Sequence, residues 1–125
     1  MNTKLLSALL GLLAFSGAAN AKTVQVQIVS MGFSPKQIQI EQGDTVEFVN
    51  TARIPHTVTA DPSLAANAAN VVLPVGAAAF DSGSLQSGET FSHTFDVAGD
   101  YQYICRPHER MGMMGRIAVM TVLKP

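Results

Sequence analysis

A short stretch near the C-terminus gathers potential metal ligands and constrains the fold of this chain more than any other feature. Residues 103–115 read YICRPHERMGMMG and hold the chain's single cysteine, Cys105, together with His108 and three methionines. A thiolate, an imidazole and a thioether spread over nine residues cannot all project from one face of a helix or strand. We therefore expect a loop wrapped around an ion, and this mixture of donors favours copper.

The loop lacks the second histidine that such a site needs. His56, within the segment RIPHTV at residues 53–58, is the candidate that folding could bring to it. Two histidines and a cysteine with a weak methionine ligand form the donor set of an electron-transfer copper site. His93 is predicted to be a structural histidine instead, because it shares the strand parity of Phe91 and Phe95.

The N-terminus is typical of an export signal. Lys4 supplies a positive charge, residues 5–15 form an apolar run, and residues 19–21 (ANA) form a small-residue cleavage site. We expect residues 1–21 to be a secretory signal peptide and residues 22–125 to be one domain. The destination would be the periplasm, or the thylakoid lumen in a photosynthetic source. A lone cysteine in an oxidising compartment is a free thiol unless a metal occupies it.

The rest of the chain shows the alternation of apolar and polar residues that is typical of half-buried strands. Predicted strands cover residues 23–29, 37–40, 45–49, 56–59, 79–81, 90–95, 101–105 and 115–123, and a long connection at 61–79 carries a helical turn near 65–69. Seven or eight strands with nothing convincingly helical predict an all-β, antiparallel Greek-key β-sandwich. Loops at one pole of such a sandwich can bring His56 to Cys105.

Charge and hydropathy narrow the possible partners. The formal net charge of −1 indicates no nucleic-acid-binding face, and no apolar run after residue 21 is long enough to cross a bilayer. Between residues 56 and 90 the charged side chains are Asp61, Asp81 and Glu89. Such scattered charges predict weak electrostatic steering toward a partner. Our hypothesis is that a monomer docks through an apolar rim around His108 formed by Pro55, Met111, Gly112 and Met114.

Three motifs carry a resemblance to a known family. They are residues 50–56, which end in Pro55-His56, then Gly99-Asp100-Tyr101, and then Cys105-x-Pro107-His108-x₄-Met113-x-Gly115-Arg116. Together they resemble the plastocyanin-type cupredoxins, which are type 1 (blue) copper proteins, over nearly all of residues 24–123.

The resemblance implies one copper ion cycling between Cu(I) and Cu(II). It also implies in-plane ligands at His56, Cys105 and His108 and an axial ligand at Met113. The shorter spacing of related amicyanins would nominate Met111 as the axial ligand, but the Met-x-Gly-basic signature fits Met113. Implied partners are a redox donor and acceptor, such as a cytochrome, a photosystem or a copper or haem enzyme.

The chain also departs from the family pattern at several positions. Ile104 stands where an aromatic residue usually precedes the cysteine, and Thr57 stands where an asparagine usually ties the two ligand loops together. Pro107 has no N–H to donate toward the cysteine sulfur, and the acidic clusters of plant plastocyanins are missing.

The predicted function is electron transport and not catalysis. Four protein ligands leave no open position for a substrate, unlike catalytic metal sites. A copper-trafficking or copper-storage protein is the main alternative, because Met111 and Met114 are additional soft donors. A thiol enzyme using Cys105 and His108 has less support, since no third orienting residue is visible.

Overall fold

The computed structural model describes residues 21–123, in which β-strands dominate. The nine strands are β1 Thr23–Val29, β2 Gly32–Ser34, β3 Gln37–Glu41, β4 Thr45–Asn50, β5 Thr59–Ala60, β6 Phe80–Asp81, β7 Thr90–Thr94, β8 Gly99–Ile104 and β9 Met114–Met120. Three short 3₁₀ helices cover Pro62–Leu64, Ala68–Asn70 and Arg106–Met111. Almost all of the predicted signal peptide lies outside the described residues, so it stays a prediction.

The strands form two sheets that enclose one core. One sheet has the order β2-β1-β4-β7 and the other β3-β9-β8-β5-β6. Alternation in the sequence places every second side chain in the core; in β4, for example, Val46 and Phe48 are fully buried. From the other sheet, Tyr103 and Ile117 join the same cluster. The predicted all-β sandwich is confirmed.

The prediction of antiparallel pairing was wrong for two strand pairs. β1 pairs with β4 in parallel, and β3 pairs with β9 in parallel. The physical reason lies in the connections: between β1 and β4 the chain crosses to the other sheet to form β3, so it re-enters the first sheet in the same direction. The three-residue strand β2 was also missed, and the predicted strand at 56–59 overlaps β5, Thr59–Ala60, only at Thr59.

One pole of the sandwich collects the segments of interest. β4 and β8 belong to different sheets and both end there, with His56 following β4 and Cys105 following β8. β9 starts at the same pole, because it is antiparallel to β8. We call this end the ligand pole. No helix within the described residues is long and apolar enough to span a membrane.

Candidate metal centre

Three donor side chains meet at the ligand pole. His56 belongs to the first ligand segment, residues 50–57, whereas Cys105 and His108 belong to the second ligand segment, residues 105–113. The Sγ atom of Cys105 lies 3.4 Å from Nδ1 of His56 and 3.4 Å from Nδ1 of His108. Two donors at roughly 2.0 and 2.3 Å from one tetrahedral ion would lie about 3.5 Å apart. The spacing therefore fits a single metal ion.

The first ligand segment is shaped by Asn50, whose side chain is fully buried. Its amide donates to the carbonyls of Ile54 at 3.0 Å and Leu85 at 2.9 Å, and its Oδ1 accepts the Ala52 N–H at 3.0 Å. His56 then exchanges two backbone hydrogen bonds with Leu85, at 3.1 and 2.8 Å. These bonds fix the backbone that carries the first histidine.

The second ligand segment is more regular than the predicted loop, because it contains the 3₁₀ helix Arg106–Met111. Its two ends are tied together: Cys105 N–H donates to the Met113 carbonyl at 3.1 Å, and Met113 N–H donates to the His108 carbonyl at 3.3 Å. Gly112 ends the helix at φ 82°, a left-handed conformation that favours glycine. Met113 is thereby returned to the side of Cys105.

The methionines of this segment differ in burial. Met113 is 1% exposed and belongs to the core cluster, whereas Met111 is 70% exposed. Met114 is partly buried, and its sulfur accepts a weak hydrogen bond from the Gln102 amide at 3.5 Å. Only the Met113 side chain therefore combines full burial with a backbone tied to Cys105 and His108.

Thr57 joins the two ligand segments. Its backbone N–H donates to Cys105 Sγ at 3.4 Å, and its hydroxyl accepts the Arg106 N–H at 2.9 Å. Thr57 Oγ1 lies 2.8 Å from Thr59 Oγ1, and the Thr59 hydroxyl donates to an Asp81 carboxylate oxygen at 2.6 Å. An ionised carboxylate only accepts, so the Thr57 hydroxyl must donate to Thr59. Threonine thus supplies the inter-loop hydrogen bond that asparagine makes in the family pattern.

Glu109 ties the second ligand segment to the long connection after β5. Its carboxylate is 4% exposed and accepts hydrogen bonds from Ala66 N–H at 2.7 Å, Asn67 N–H at 3.0 Å and the Asn70 amide at 2.9 Å. Burial raises the pKa of Glu109, but these hydrogen bonds and the nearby Arg110 outweigh it and hold the pKa below its usual range. The buried Glu109 carboxylate is therefore ionised, and both of its oxygens accept hydrogen bonds from the long connection after β5.

The protonation of the donor side chains bears on whether they can bind a metal ion. Burial lowers the pKa of His56, and the neighbouring His108 lowers it further, so the imidazole is neutral and keeps a lone pair. Burial raises the pKa of the Cys105 thiol, an effect that hydrogen bonds from Thr57 and His108 oppose in part. A bound metal would have to displace the thiol proton.

Three further residues can be compared with what was expected at this site. His56 Nε2 is buried and has no hydrogen-bond partner within residues 21–123, whereas ligating histidines normally donate that proton to a neighbour. His93 lies outside the cluster of donors and stacks on Phe80 with ring centroids 4.0 Å apart, in agreement with a structural role. Nothing in the sequence pointed to Glu109, whose partners lie 39 to 43 residues away.

Comparison with known proteins agrees with this geometry. A sequence profile of copper binding proteins, plastocyanin/azurin family, matches residues 20–120. Plastocyanin from Nostoc punctiforme is 34% identical over 112 residues, which cover 84% of this chain and 79% of that protein. Chloroplastic plastocyanin from Chlamydomonas reinhardtii is 37% identical over 90 residues, which cover 72% of this chain but only 59% of the relative.

A solved structure, amicyanin from Paracoccus versutus, has a TM-score of 0.62 at 30% identity and covers 78% of this chain and 81% of that one. The resemblance to plastocyanin-type cupredoxins is thereby confirmed. The His56, Cys105 and His108 cluster is consistent with one type 1 copper site. This chain belongs to the plastocyanin/azurin family of copper-binding proteins.

Proposed function

We propose that this protein is a small exported carrier that moves single electrons between redox partners by means of one type 1 copper. The observation that carries the proposal is the convergence of one thiolate and two imidazole donors within 4.8 Å. Its relatives named plastocyanin and amicyanin support the same function. Copper, when bound, would accept one electron as Cu(II) and release it as Cu(I).

The proposed in-plane ligand atoms are His56 Nδ1, Cys105 Sγ and His108 Nδ1, because these atoms face one another at the ligand pole. We assign the axial position to Met113. Its burial supports this choice over Met111, whose side chain is 70% exposed.

The protein would hold the ligands rigidly and would adjust the charge on the Cys105 sulfur by hydrogen bonding. Backbone hydrogen bonds hold His56, and the 3₁₀ helix holds His108, so the donors need little rearrangement when an electron enters or leaves. The Thr57 N–H on Cys105 Sγ stabilises negative charge on the sulfur. Such hydrogen bonding is one control on the reduction potential of a thiolate-ligated metal.

The same donor set supports a carrier and not an enzyme, since four protein ligands leave no position for a substrate. The copper-trafficking or copper-storage alternative gains no support from relatives named plastocyanin and amicyanin. Export to a periplasm or a thylakoid lumen is part of the proposal, and it rests on residues 1–21.

Electrons would pass through the partly exposed edge of His108. Ile104, directly before the cysteine, is fully buried and aliphatic, so it offers no aromatic route to the surface. Exposed apolar side chains lie on both ligand segments, namely Ile54 at 41% and Met111 at 70%. We propose that the apolar rim of Pro55, Met111, Gly112 and Met114, extended by Ile54, contacts a cytochrome, a photosystem or a copper or haem enzyme, with the carrier acting as a monomer.

Copper loading tests the function directly. The protein should bind one copper, and its Cu(II) form should be intensely blue because sulfur-to-copper charge transfer requires a short thiolate bond. Cys105→Ser should abolish the visible band, whereas His93→Gln, away from the donors, should keep it. An unchanged band in Cys105→Ser would contradict the ligand assignment. Bound copper should also protect Cys105 from iodoacetamide, as a tightly held site requires.

A further inference from the structure

Positive charge is concentrated at the ligand pole, although the whole chain has a formal net charge of −1. The described residues contain six lysine and arginine side chains, all of them exposed. Five of the six lie at or near the ligand pole: Lys36, Arg53, Arg106, Arg110 and Arg116. The sixth, Lys22, lies at the opposite end, just before β1.

The positions of these cations follow from the fold. Arg53 lies on the first ligand segment, and Arg106 and Arg110 flank His108 on the second. Lys36 and Arg116 sit beside the start of β9, where the Arg116 N–H donates to the Lys36 carbonyl at 2.9 Å. These two side chains line one shallow cleft together with Gly112 and Met114 of the ligand pole.

Four carboxylates lie toward this pole, but only one of them pairs with a cation. Asp81 lies 3.9 Å from Arg106, which is the one ion pair within residues 21–123. Glu109 is buried and committed to Ala66, Asn67 and Asn70. The other two carboxylates toward this pole have local partners: Glu89 accepts the Gln86 N–H at 2.6 Å, and Asp61 accepts the Ser63 N–H at 3.0 Å and the Ser63 hydroxyl at 2.7 Å.

Acidic side chains collect at the opposite end of the sandwich. Glu41 ends β3, Asp44 precedes β4, Asp96 follows β7 and Asp100 is the second residue of β8. Their proximity is shown by the Gln42 amide, which donates to the Asp96 carbonyl at 3.2 Å. Within residues 21–123, five of the six cations therefore lie around the ligand pole, and Lys22 is the one cation beside the four acidic side chains at the opposite end.

We propose that the ligand pole is a docking surface for a redox protein with an acidic face. Ile54 and Met111 would form its apolar centre, and the five cations would surround that centre. Charge complementarity supports this surface, because attraction at the ligand pole and repulsion at the acidic end would both turn His108 toward the partner before contact. This inference rests on the proposed electron-transfer function.

Electrostatic steering by the ligand pole differs from the weak steering expected from the sequence. That expectation considered only charges between residues 56 and 90, which are acidic and sparse. The five cations fall outside that range and are brought to one pole by the two ligand segments and the pairing of β3 with β9. Sequence order therefore concealed the charge pattern.

Stopped-flow oxidation of the copper-loaded, reduced protein by two small reagents tests the charge pattern. The rate with anionic hexacyanoferrate(III) should fall as salt is raised, and the rate with cationic tris(phenanthroline)cobalt(III) should rise. Arg53→Gln combined with Arg110→Gln should slow the anionic reaction at low salt on the order of tenfold. Lys22→Gln, which removes the same charge type at the opposite end, should leave it unchanged.

An acidic polypeptide tests the kind of partner. Poly-L-glutamate should slow the oxidation by hexacyanoferrate(III) because it covers the ligand pole, whereas poly-L-lysine should not. The variant with both Arg53→Gln and Arg110→Gln should no longer be inhibited by poly-L-glutamate. Co-sedimentation of the protein with phosphatidylglycerol vesicles at physiological salt would assign the pole to a membrane surface and overturn the proposal.

The two proposals fail in different ways. A protein that binds no copper, or that reacts with neither reagent, would refute the carrier function itself. Electron transfer to both reagents with the same salt dependence would leave the carrier function intact and overturn only the docking surface. An equal effect of Lys22→Gln and the arginine variants would do the same.

Discussion

The two histidines of the metal centre occupy contrasting surroundings. His56 is fully buried, and its backbone is hydrogen-bonded in both directions to Leu85. His108 is partly exposed at a 3₁₀ helix beside the exposed Met111. The first ligand segment therefore anchors the site within the sandwich, and the second presents it to solvent.

The largest effect should come from removing each imidazole in turn. Both His56→Gly and His108→Gly should abolish the blue band. Added imidazole should restore it in His108→Gly, because that position opens to solvent, but not in His56→Gly, where the core and backbone enclose it. Visible absorption titrated with imidazole measures this. Equal rescue of both variants would show that the two positions are equally accessible.

Within the second ligand segment, the two candidate axial ligands, Met113 and Met111, should respond differently to substitution. Met113→Gln should alter the EPR spectrum and lower the reduction potential, because an amide oxygen favours Cu(II) more than a thioether does. Met111→Gln is the matched control and should do neither, since its side chain faces solvent. A reversed result would select the shorter, amicyanin-like spacing.

The anchoring of the second ligand segment can be weakened at Glu109. Glu109→Gln should lower the free energy of unfolding of the metal-free protein by about 2 kcal/mol, because a buried amide cannot accept from all three donors that the carboxylate satisfies. Urea denaturation measures the change. Glu41→Gln, an exposed substitution at the opposite end, should have little effect, and an equal loss in both variants would contradict the anchoring role.

The smallest effect should come from the link between the segments. Thr57→Val keeps the shape and the N–H on Cys105 Sγ but removes the hydroxyl that accepts from Arg106 and donates to Thr59. The free energy of unfolding should fall by about 1 kcal/mol. Thr57→Ser retains the hydroxyl and should recover most of it. Failure of serine to do so would assign the loss to packing.

Local patterns predicted much of the fold. Eight of the nine strands overlap a predicted strand, and alternation gave most of them, because burying one face of a sheet imposes a period of two on the sequence. The short strand β2, Gly32–Ser34, was missed since three residues cannot display a period. The parallel pairings were missed because pairing direction depends on which sheet each connection joins.

The copper chemistry was predictable from the sequence alone, because the spacing of Cys105, His108 and Met113 suits few other uses of such donors. Tertiary structure decided what surrounds that chemistry. Each of these features joins residues far apart in sequence. They are the hydrogen bond from Asn50 to Leu85, the hydrogen bonds that run from Thr57 through Thr59 to Asp81, the three hydrogen bonds to the Glu109 carboxylate, and the cations around the ligand pole. Their physical basis is hydrogen bonding and charge proximity in space, which no local spacing encodes.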